Sequence, residues 1–269
     1  MSYSLPNSSG LPPSNPLIAS LRSIAALMLR EMSSRYGQSV GGYIWAVLEP
    51  LGTIAILAIG FSLIIHNPPL GTSFILFYAT GFLPFLLFQN VQLTVSRALI
   101  FSKPLLAYPA LRWIDAILAR FILNFLTSLL VTYILLVGIL AVTKTTSPLV
   151  PGPILGALAL AGILGLGIGV LNCFMMGMLP VWAQIWSIIT RPLFLASGIL
   201  VLPEDLPAWA QDILWFNPLI HVTALMRQGF YPMYQPPYVT ISYTLFAGLF
   251  PLALGLLVLR KTHRDILSR

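Results

Sequence analysis

The chain has 269 residues, of which 58% are hydrophobic and only 8% are charged. Soluble domains carry about 25% charged residues, and one aqueous core could not hide so much apolar surface beneath so few charges. The composition therefore excludes a soluble enzyme, a disordered chain and a collagen-like fibre, and it predicts a polytopic membrane protein. The net charge of +7 is interpreted as a topology signal and a source of contacts with the lipid bilayer, not as a sign of nucleic-acid binding.

The beginning of the chain divides into two segments. Residues 1–15 are rich in proline, serine and asparagine, which predicts a disordered tail. In residues 16–36 apolar side chains recur at steps of three and four, and the charged residues Arg22 and Arg30 fall mostly on the other side. This pattern predicts an amphipathic helix that lies on the membrane surface and does not cross the bilayer.

Six apolar stretches follow, and each is long enough to span a bilayer, which takes about 20 helical residues. They lie at about 44–65, 74–95, 113–142, 154–178, 182–201 and 241–259. The fourth is rich in glycines that suit close helix packing, namely Gly162, Gly165, Gly167 and Gly169. The prediction is an all-α fold with one transmembrane domain over residues 16–260 and a short basic tail over 261–269.

The segment between the last two spans is too polar to cross a membrane and too apolar for a solvated loop. Residues 206–214 predict one short helix. Asn217 and Pro218 predict the start of a second, as an N-cap and a first helical residue, and Gly229 is expected to end it. Each helix would have about 10 residues and a length of about 15 Å. We therefore predict a re-entrant or interfacial helical hairpin over residues 203–231, before the last span.

The distribution of basic residues predicts the orientation. If both termini are cytosolic, most Lys and Arg residues fall in the inside segments, the outside segments hold Lys144 and Arg227, and Arg191 lies within a span. Cytoplasmic segments of membrane proteins carry this excess of basic residues. The pattern predicts six spans with both ends in the cytosol and the hairpin on the outer side.

The sequence offers no energy source or catalytic group within the spans. No acidic residue is predicted in the middle of a span, and the phosphate-binding pattern G-x-x-x-x-G-K-[ST] is absent. The histidines His66, His221 and His263 lie in three separate segments and do not form a ligand set. We therefore predict no catalytic, cofactor-binding or metal-binding residue on this chain, and transport energy that comes from another polypeptide.

Arg191 is the most informative single residue, since a charge within a span costs about 2.5–3.5 kcal/mol on insertion scales. One interpretation is a pore-facing cation that contacts an anionic substrate. The alternative is an arginine that pairs with backbone carbonyls or reaches the inner headgroups. Phe61, Tyr78 and Phe85 are candidates to line a sugar path by stacking.

The outer hairpin contributes three more polar candidates, which are His221, Arg227 and Tyr231. Anchoring to lipid headgroups is the alternative interpretation for these side chains, since aromatic and basic groups gather at membrane interfaces.

Two stretches carry a family resemblance. Residues 29–37 (LREMSSRYG) with 42–50 (GYIWAVLEP) resemble permease subunits of ABC transporters that export polysaccharide, and are most similar to the capsule-polysaccharide group of the ABC-2 type. Residues 194–203, 215–218 (WFNP) and 227–231 (RQGFY) resemble the outer-hairpin region of the same family. The resemblance covers about residues 17–265.

The resemblance implies a homodimer with a pore between the copies and two ABC ATPase subunits that bind ATP and Mg, in a bacterial inner membrane. It implies that the amphipathic helix is a gate helix. Carried over by residue, the gate-helix region holds Arg30, Arg35, Tyr36 and Glu49, and the segment that docks on the ATPase holds Arg97, Lys103 and Tyr108.

Several functions remain open from the sequence. The favoured one is export of capsular polysaccharide, acidic and lipid-linked, with a possible periplasmic adaptor and outer-membrane exporter as partners. O-antigen, teichoic acid or a small molecule are alternative substrates. Different classes are an ion-coupled secondary carrier and an intramembrane enzyme that acts on lipid-linked sugars, for which Glu204, Asp205 and Asp212 are the nearest candidates.

Overall fold

A computed structural model describes residues 16–36, 42–106, 111–143 and 148–268. These residues form helices joined by short connections. We number the α-helices in chain order: α1 Pro16–Tyr36, α2 Gly42–Ser62, α3 Phe74–Ser96, α4 Ala98–Leu106, α5 Trp113–Thr143, α6 Pro151–Met178, α7 Trp182–Ala196, α8 Ala208–Trp215, α9 Pro218–Phe230 and α10 Ile241–Ser268. A 3-10 turn at Pro203–Asp205 precedes α8. The all-helical class predicted from the sequence is confirmed for the described residues.

Within the described residues, five helical segments are long and apolar enough to cross a membrane. They contain α2, α3 with α4, α5, α6 and α10, and correspond to five of the six predicted spans. The predicted span 182–201 corresponds to α7, which has 15 residues. A helix of that length extends about 22 Å, which is less than the hydrocarbon thickness of about 30 Å.

The centre of the molecule is α6, which packs most extensively against α3 and α10. Its glycines permit this on two sides at once. Gly165 and Gly169 face α3, where an added Cβ atom would lie 3.0 Å and 2.8 Å from side-chain atoms of Val91 and Val95 respectively. Gly167 faces α10, where an added Cβ would lie 1.9 Å from the carbonyl oxygen of Gly248. Close packing of the glycine-rich helix, predicted from the sequence, is confirmed at these contacts.

The helices differ sharply in burial. Most of α3 lies in the core, whereas α2 and α10 expose most of their side chains. Large apolar side chains point outward around the whole bundle, including Ile56, Leu63 and Val142, each more than 70% exposed. A soluble protein would not expose so many apolar side chains, so this surface is suited to lipid tails or to a partner in the membrane.

The two helices of the predicted hairpin have opposite environments. No residue of α8 is buried, whereas almost all of α9 is buried against α3 and α6. Asn217 caps α9, since its side-chain oxygen accepts a hydrogen bond from the amide of Leu219 at 3.1 Å. The expectation that Gly229 ends this helix is wrong, because α9 continues to Phe230. Gly229 instead permits a close contact with α6, where an added Cβ would lie 2.2 Å from Ile154.

Two segments that the sequence left without detail are helical. α4 occupies part of the basic stretch after the second span, and it accommodates Pro104. α10 continues to Ser268, so residues 261–268, predicted as a tail, extend the last helix. The predicted disordered tail 1–15 lies outside the described residues.

Candidate functional site

An open crevice of about 300 Å³ lies between α3 and α7. Its lining residues are Phe82, Phe85, Gln89, Thr190, Arg191 and Phe194. The ring of Phe194 meets the rings of Phe85 and Phe82 edge to face, with centroid distances of 5.4 Å and 6.2 Å. We call this site the arginine–phenylalanine crevice. It combines an exposed cation, two neutral polar side chains and three aromatic rings, which are the groups that bind acidic sugars.

The helix that carries Arg191 is the least enclosed long helix of the described residues. None of the side chains of α7 is buried, and the helix has few contacts with its neighbours. One of them is a hydrogen bond of 2.8 Å from the indole nitrogen of Trp182 to Asn172 of α6. The polar residues Gln184, Ser187 and Arg191 follow helical spacing and are all exposed. The α7 surface therefore lacks the cover that a single copy of the chain gives to its other described helices, except the short helix α8.

The other predicted path residues lie elsewhere. Phe61 of α2 and Tyr78 of α3 pack against each other with a centroid distance of 5.3 Å. Tyr78 is 0% exposed, so it does not line an open path in this structure. Of the four predicted path residues, the structure thus brings together Arg191 and Phe85, and it pairs Phe61 with Tyr78 in a separate cluster.

Arg227 of the hairpin has the opposite environment to Arg191. It is 1% exposed, although no salt-bridge partner is recorded for it among the described residues. Its Nη2 donates a hydrogen bond of 3.1 Å to the carbonyl oxygen of Ile199, and its guanidinium lies 4.2 Å from the ring centroid of Phe77. Headgroup anchoring, the alternative drawn from the sequence, does not fit a side chain enclosed in this way.

The groups around Arg227 fix the end of α7. The turn that follows α7 contains Ser197 and Ile199, and α9 binds it from one side. Thr223 donates to the carbonyl oxygen of Ser197 at 2.8 Å, and Asn217 donates to the carbonyl oxygen of Ala196 at 2.9 Å. With Arg227 these contacts form a row along α9 that holds the C-terminal end of α7, which is the helix of the crevice.

Burial around Arg227 also affects its titration and that of its neighbours. Burial lowers the pKa of Arg227, and Tyr234, Tyr238, Tyr231 and Glu204 oppose that shift. Burial raises the pKa of Tyr231 and of Tyr238 to about 12 each. Burial also raises the pKa of Tyr234, so all three tyrosines are neutral at physiological pH. The Nε of Arg227 and the hydroxyls of Tyr78 and Tyr231 are buried and have no hydrogen-bond partner within the described part of the chain.

His221 is also an internal residue, at 1% exposure. Its Nδ1 accepts a hydrogen bond from the amide of Thr240 at 3.3 Å. Its Nε2 therefore carries the proton and donates to the carbonyl oxygen of Trp215 at 2.9 Å. Burial lowers the pKa of His221, so the ring is neutral and joins the segments before and after α9. Headgroup anchoring does not fit this residue either.

The predicted gate-helix residues are only partly described. Arg30 is exposed on α1, and the hydroxyl of Ser33 donates to its carbonyl oxygen at 2.8 Å. The side chains of Arg35 and Tyr36 lie outside the described part of the structure. Glu49 of α2 is exposed at the edge of a polar cavity of about 130 Å³ between α2, α3 and α5, whose polar lining also contains Thr53, Asn90, Asn124, Thr127, Ser128 and Thr132.

Two of the three residues predicted to dock on an ATPase lie on or beside α4. Arg97 is exposed between α3 and α4, and Lys103 is exposed in the last turn of α4. Lys103 lies beside Leu267 at the end of α10, since both line the same shallow pocket. Tyr108 lies outside the described residues. Two predicted docking residues therefore occupy one short helical segment.

One charged pair was missed by sequence reasoning. Arg120 of α5 donates from Nε to Glu31 of α1 at 3.2 Å, and both side chains are buried. Arg120 also donates to the carbonyl oxygen of Thr94 in α3 at 3.1 Å, and its guanidinium lies 4.0 Å from the ring centroid of Phe101 in α4. The available signal was that each charge stands alone on an apolar helix face. We call this site the four-helix junction.

These features describe a polytopic helical membrane protein. The described residues include five helical segments long and apolar enough to span a bilayer, and an open crevice that contains Arg191 lies between α3 and α7. Among the described residues, no group of three or more His, Cys, Asp or Glu residues is placed to hold a metal ion.

Comparison with known proteins assigns the family. The family model described as "ABC-2 type transporter" matches residues 22–231, and the chain belongs to this family. It is 30% identical over 249 residues to the polysialic acid transport protein KpsM of Escherichia coli, covering 91% of this chain and 95% of that protein. It is 25% identical over 246 residues to the capsule polysaccharide export inner-membrane protein BexB of Haemophilus influenzae, covering 91% and 92%. For the corresponding protein CtrC of Neisseria meningitidis serogroup A the identity is 22% over 250 residues, covering 93% and 94%.

Proposed function

We propose that this chain is the membrane-spanning subunit of an ATP-driven exporter that moves capsular polysaccharide across a bacterial inner membrane. The relatives support this, since they cover almost the whole chain and are named for capsule polysaccharide export or polysialic acid transport. The chain itself binds no cofactor and catalyses no reaction in this proposal. A separate ABC ATPase binds ATP and Mg, and its hydrolysis drives the transport.

The proposed assembly contains two copies of this chain and two ATPase subunits. Each copy has six spans with both termini in the cytosol, and α7 serves as the short fifth span. The exposed surface of α7 supports the pairing, because a membrane helix with exposed polar residues needs either water or a partner. When two copies meet at α7, the arginine–phenylalanine crevices of both copies line one polar path.

The substrate in this proposal is an acidic polysaccharide attached to a lipid. The observation that carries this is the arginine–phenylalanine crevice, where Arg191 is exposed beside the rings of Phe85 and Phe194. A guanidinium binds carboxylates and phosphates through paired hydrogen bonds. An aromatic face suits the apolar face of a sugar ring. The name of the relative that transports polysialic acid, which is an acidic polymer, supports the same choice.

On the cytosolic side, we assign ATPase docking to the segment from Arg97 to Lys103. This segment contains most of α4, and its two basic residues, Arg97 and Lys103, are exposed. Tyr108 follows it in the sequence. On the outer side, α8 exposes Trp209 and Ile213, which makes it the part of the hairpin that could contact a periplasmic adaptor or an outer-membrane exporter. The hairpin as a whole is re-entrant from the outer side.

Two measurements test the function. A tagged chain is extracted from its native host in mild detergent, and stoichiometric partners are identified by mass spectrometry. In parallel, surface capsule is measured in a strain from which the gene has been deleted, and in the same strain after the gene has been restored. We expect an ABC ATPase near one to one, and loss of surface capsule that the gene restores. An intact complex without an ATPase would contradict the proposal and favour an ion-coupled carrier. A deletion strain that keeps its surface capsule would show that the substrate is another compound.

A further inference from the structure

The four-helix junction is placed where a signal from an ATPase would have to enter the membrane domain. We propose that Arg120 is a positioning residue that transmits the movement of α4 to α1, and so couples ATP hydrolysis to opening at the cytosolic side. This inference rests on the proposed function, since it requires an ATPase that docks at α4. It adds Arg120 as the residue involved and the path from α4 to α1. Neither follows from ATPase docking alone.

The geometry joins four helices through one side chain. Arg120 belongs to α5, and its guanidinium contacts Glu31 of α1 at 3.2 Å, the carbonyl oxygen of Thr94 in α3 at 3.1 Å and the ring of Phe101 in α4 at 4.0 Å from the centroid. Glu31 and Thr94 are far from Arg120 in the sequence, by 89 and 26 positions. A displacement of Phe101 would therefore act directly on the cation that holds α1 in place.

The energetics favour a switching role over a simple stabilising one. A buried ion pair adds little net stability, because taking both charges out of water offsets most of their attraction. Separating the pair is costly, however, since each partner would then be buried alone. In the proposed role, α1 is either held on α5 by this pair or released from it. An element with two such states is what coupling between distant sites requires.

The junction also has room for this change. A crevice of about 280 Å³ that opens to the surface is lined by Glu31, Leu93, Thr94, Arg97, Phe101 and Arg120. Arg97 is exposed there, in the turn that links α3 to α4. The side chains of the junction can therefore move without displacing a packed core. Binding at α4 can reach them from the surface.

A second contact between α1 and α5 offers a matched control. The hydroxyl of Ser20 in α1 donates to the carboxylate of Asp115 in α5. Ser20 has no recorded contact with α4, so Ser20→Ala weakens the seating of α1 without touching the proposed route. Phe101 is 43% exposed, so its replacement should not unfold the chain. Phe101→Leu removes the aromatic face, and Phe101→Tyr retains it.

The test measures two quantities for each variant. Surface capsule is measured on cells, and ATP hydrolysis is measured on the purified complex with its ATPase, with and without the capsular polysaccharide. We expect Glu31→Gln and Phe101→Leu each to lower export per ATP by about tenfold, within the range of known coupling energies, with the ATPase still bound. The two changes combined should have no larger effect than either alone, because both act through Arg120. Ser20→Ala should behave as wild type, and Phe101→Tyr should lose less export per ATP than Phe101→Leu because it keeps the aromatic face.

Three results would overturn the transmission role. One is normal export per ATP in Phe101→Leu, and another is fully additive effects of the two substitutions. The third is an equal loss in Ser20→Ala, which would show that α1 only needs to be seated. Should Glu31→Gln reduce the amount of protein, Arg120→Lys replaces it, since it keeps the charge but loses the fork that reaches Thr94. A wild-type complex that contains no ATPase would refute the proposed function and this role together, and is recognised before any variant is made.

Discussion

Two arginines in apolar segments of this chain have opposite environments. Arg227 of α9 is enclosed, with one carbonyl oxygen and one aromatic ring as its partners. Arg191 of α7 is exposed in a crevice and lies on a helix that buries no side chain. The comparison teaches that a charge in a membrane segment has two uses. The enclosed Arg227 fixes the fold, whereas the exposed Arg191 is available to a substrate.

The two regions also depend on each other. The row of contacts from α9, at Asn217, Thr223 and Arg227, holds the turn that follows α7. α7 has little other support, so its position in the crevice depends on this turn. The enclosed Arg227 therefore contributes to the site indirectly. Substitutions of Arg227 should lower protein stability, whereas substitutions of Arg191 should lower transport and leave stability unchanged.

Charge reversal at the enclosed arginine should have the largest effect on stability. Arg227→Glu places a carboxylate against the carbonyl oxygen of Ile199 and the face of Phe77. An unpaired buried charge of this kind costs about 3–5 kcal/mol. We expect little folded protein in the membrane, measured by quantitative immunoblotting and by the Tm of any purified complex. Wild-type amounts and an unchanged Tm would contradict the structural role of Arg227.

A smaller effect is expected at the glycine that faces Arg227. An added Cβ at Gly81 would lie 3.0 Å from Nη2 of Arg227 and 3.2 Å from Cα of Ile199. Gly60 of α2 is the matched control, since its added Cβ would meet no atom within 4 Å. Alanine is favoured over glycine in a helix by about 1 kcal/mol. We expect a lower Tm for Gly81→Ala and an equal or higher Tm for Gly60→Ala, and the reverse order would contradict the packing described for Arg227.

His221 should give a modest dependence of stability on pH. Its pKa in the folded protein is lowered below the ordinary value of about 6.5, so the unfolded chain binds the proton more readily. The contribution of the neutral ring is complete above about pH 6.5 and is lost as the pH falls below that value. The neighbouring ring of Tyr238 does not titrate in this range, since burial raises its pKa to about 12.

The measurement is the Tm of the purified complex between pH 7.5 and 5, compared with His221→Gln. Glutamine cannot take up a proton in this range, so the difference in Tm between wild type and variant should shrink as the pH falls. Parallel curves would show that groups other than His221 cause the pH dependence.

The sequence predicted the parts of the fold that depend on local pattern. The bounds of α1 and the capping of α9 by Asn217 follow from spacing and turn chemistry. The glycines of α6 indicated close packing because small residues in apolar helices allow the backbones of neighbouring helices to approach each other. The packing role of Gly229 was not predictable, since it depends on the close approach of Ile154 from another helix.

The candidate site shows the same division. Arg191 was found because a lone charge in an apolar stretch is conspicuous in the sequence, and Phe85 lies beside it in the crevice. The enclosure of Arg227 and His221 could not be predicted, because it depends on how α9 packs between α3 and α6. The junction of Arg120 with Glu31 was missed for a similar reason, since the two residues belong to helices that meet only in the folded chain.

The most direct test of acidic-polymer export is a charge series at Arg191, with surface capsule per molecule of complex as the measured quantity. We expect Arg191→Lys to retain most export, Arg191→Gln to lose about tenfold, as removal of one charged hydrogen-bonding group typically does, and Arg191→Glu to lose more. Because Arg191 is exposed, protein amount and Tm should remain those of wild type throughout. Equal export by all four proteins, at equal protein amounts, would contradict the role of this cation in the path of an acidic polysaccharide.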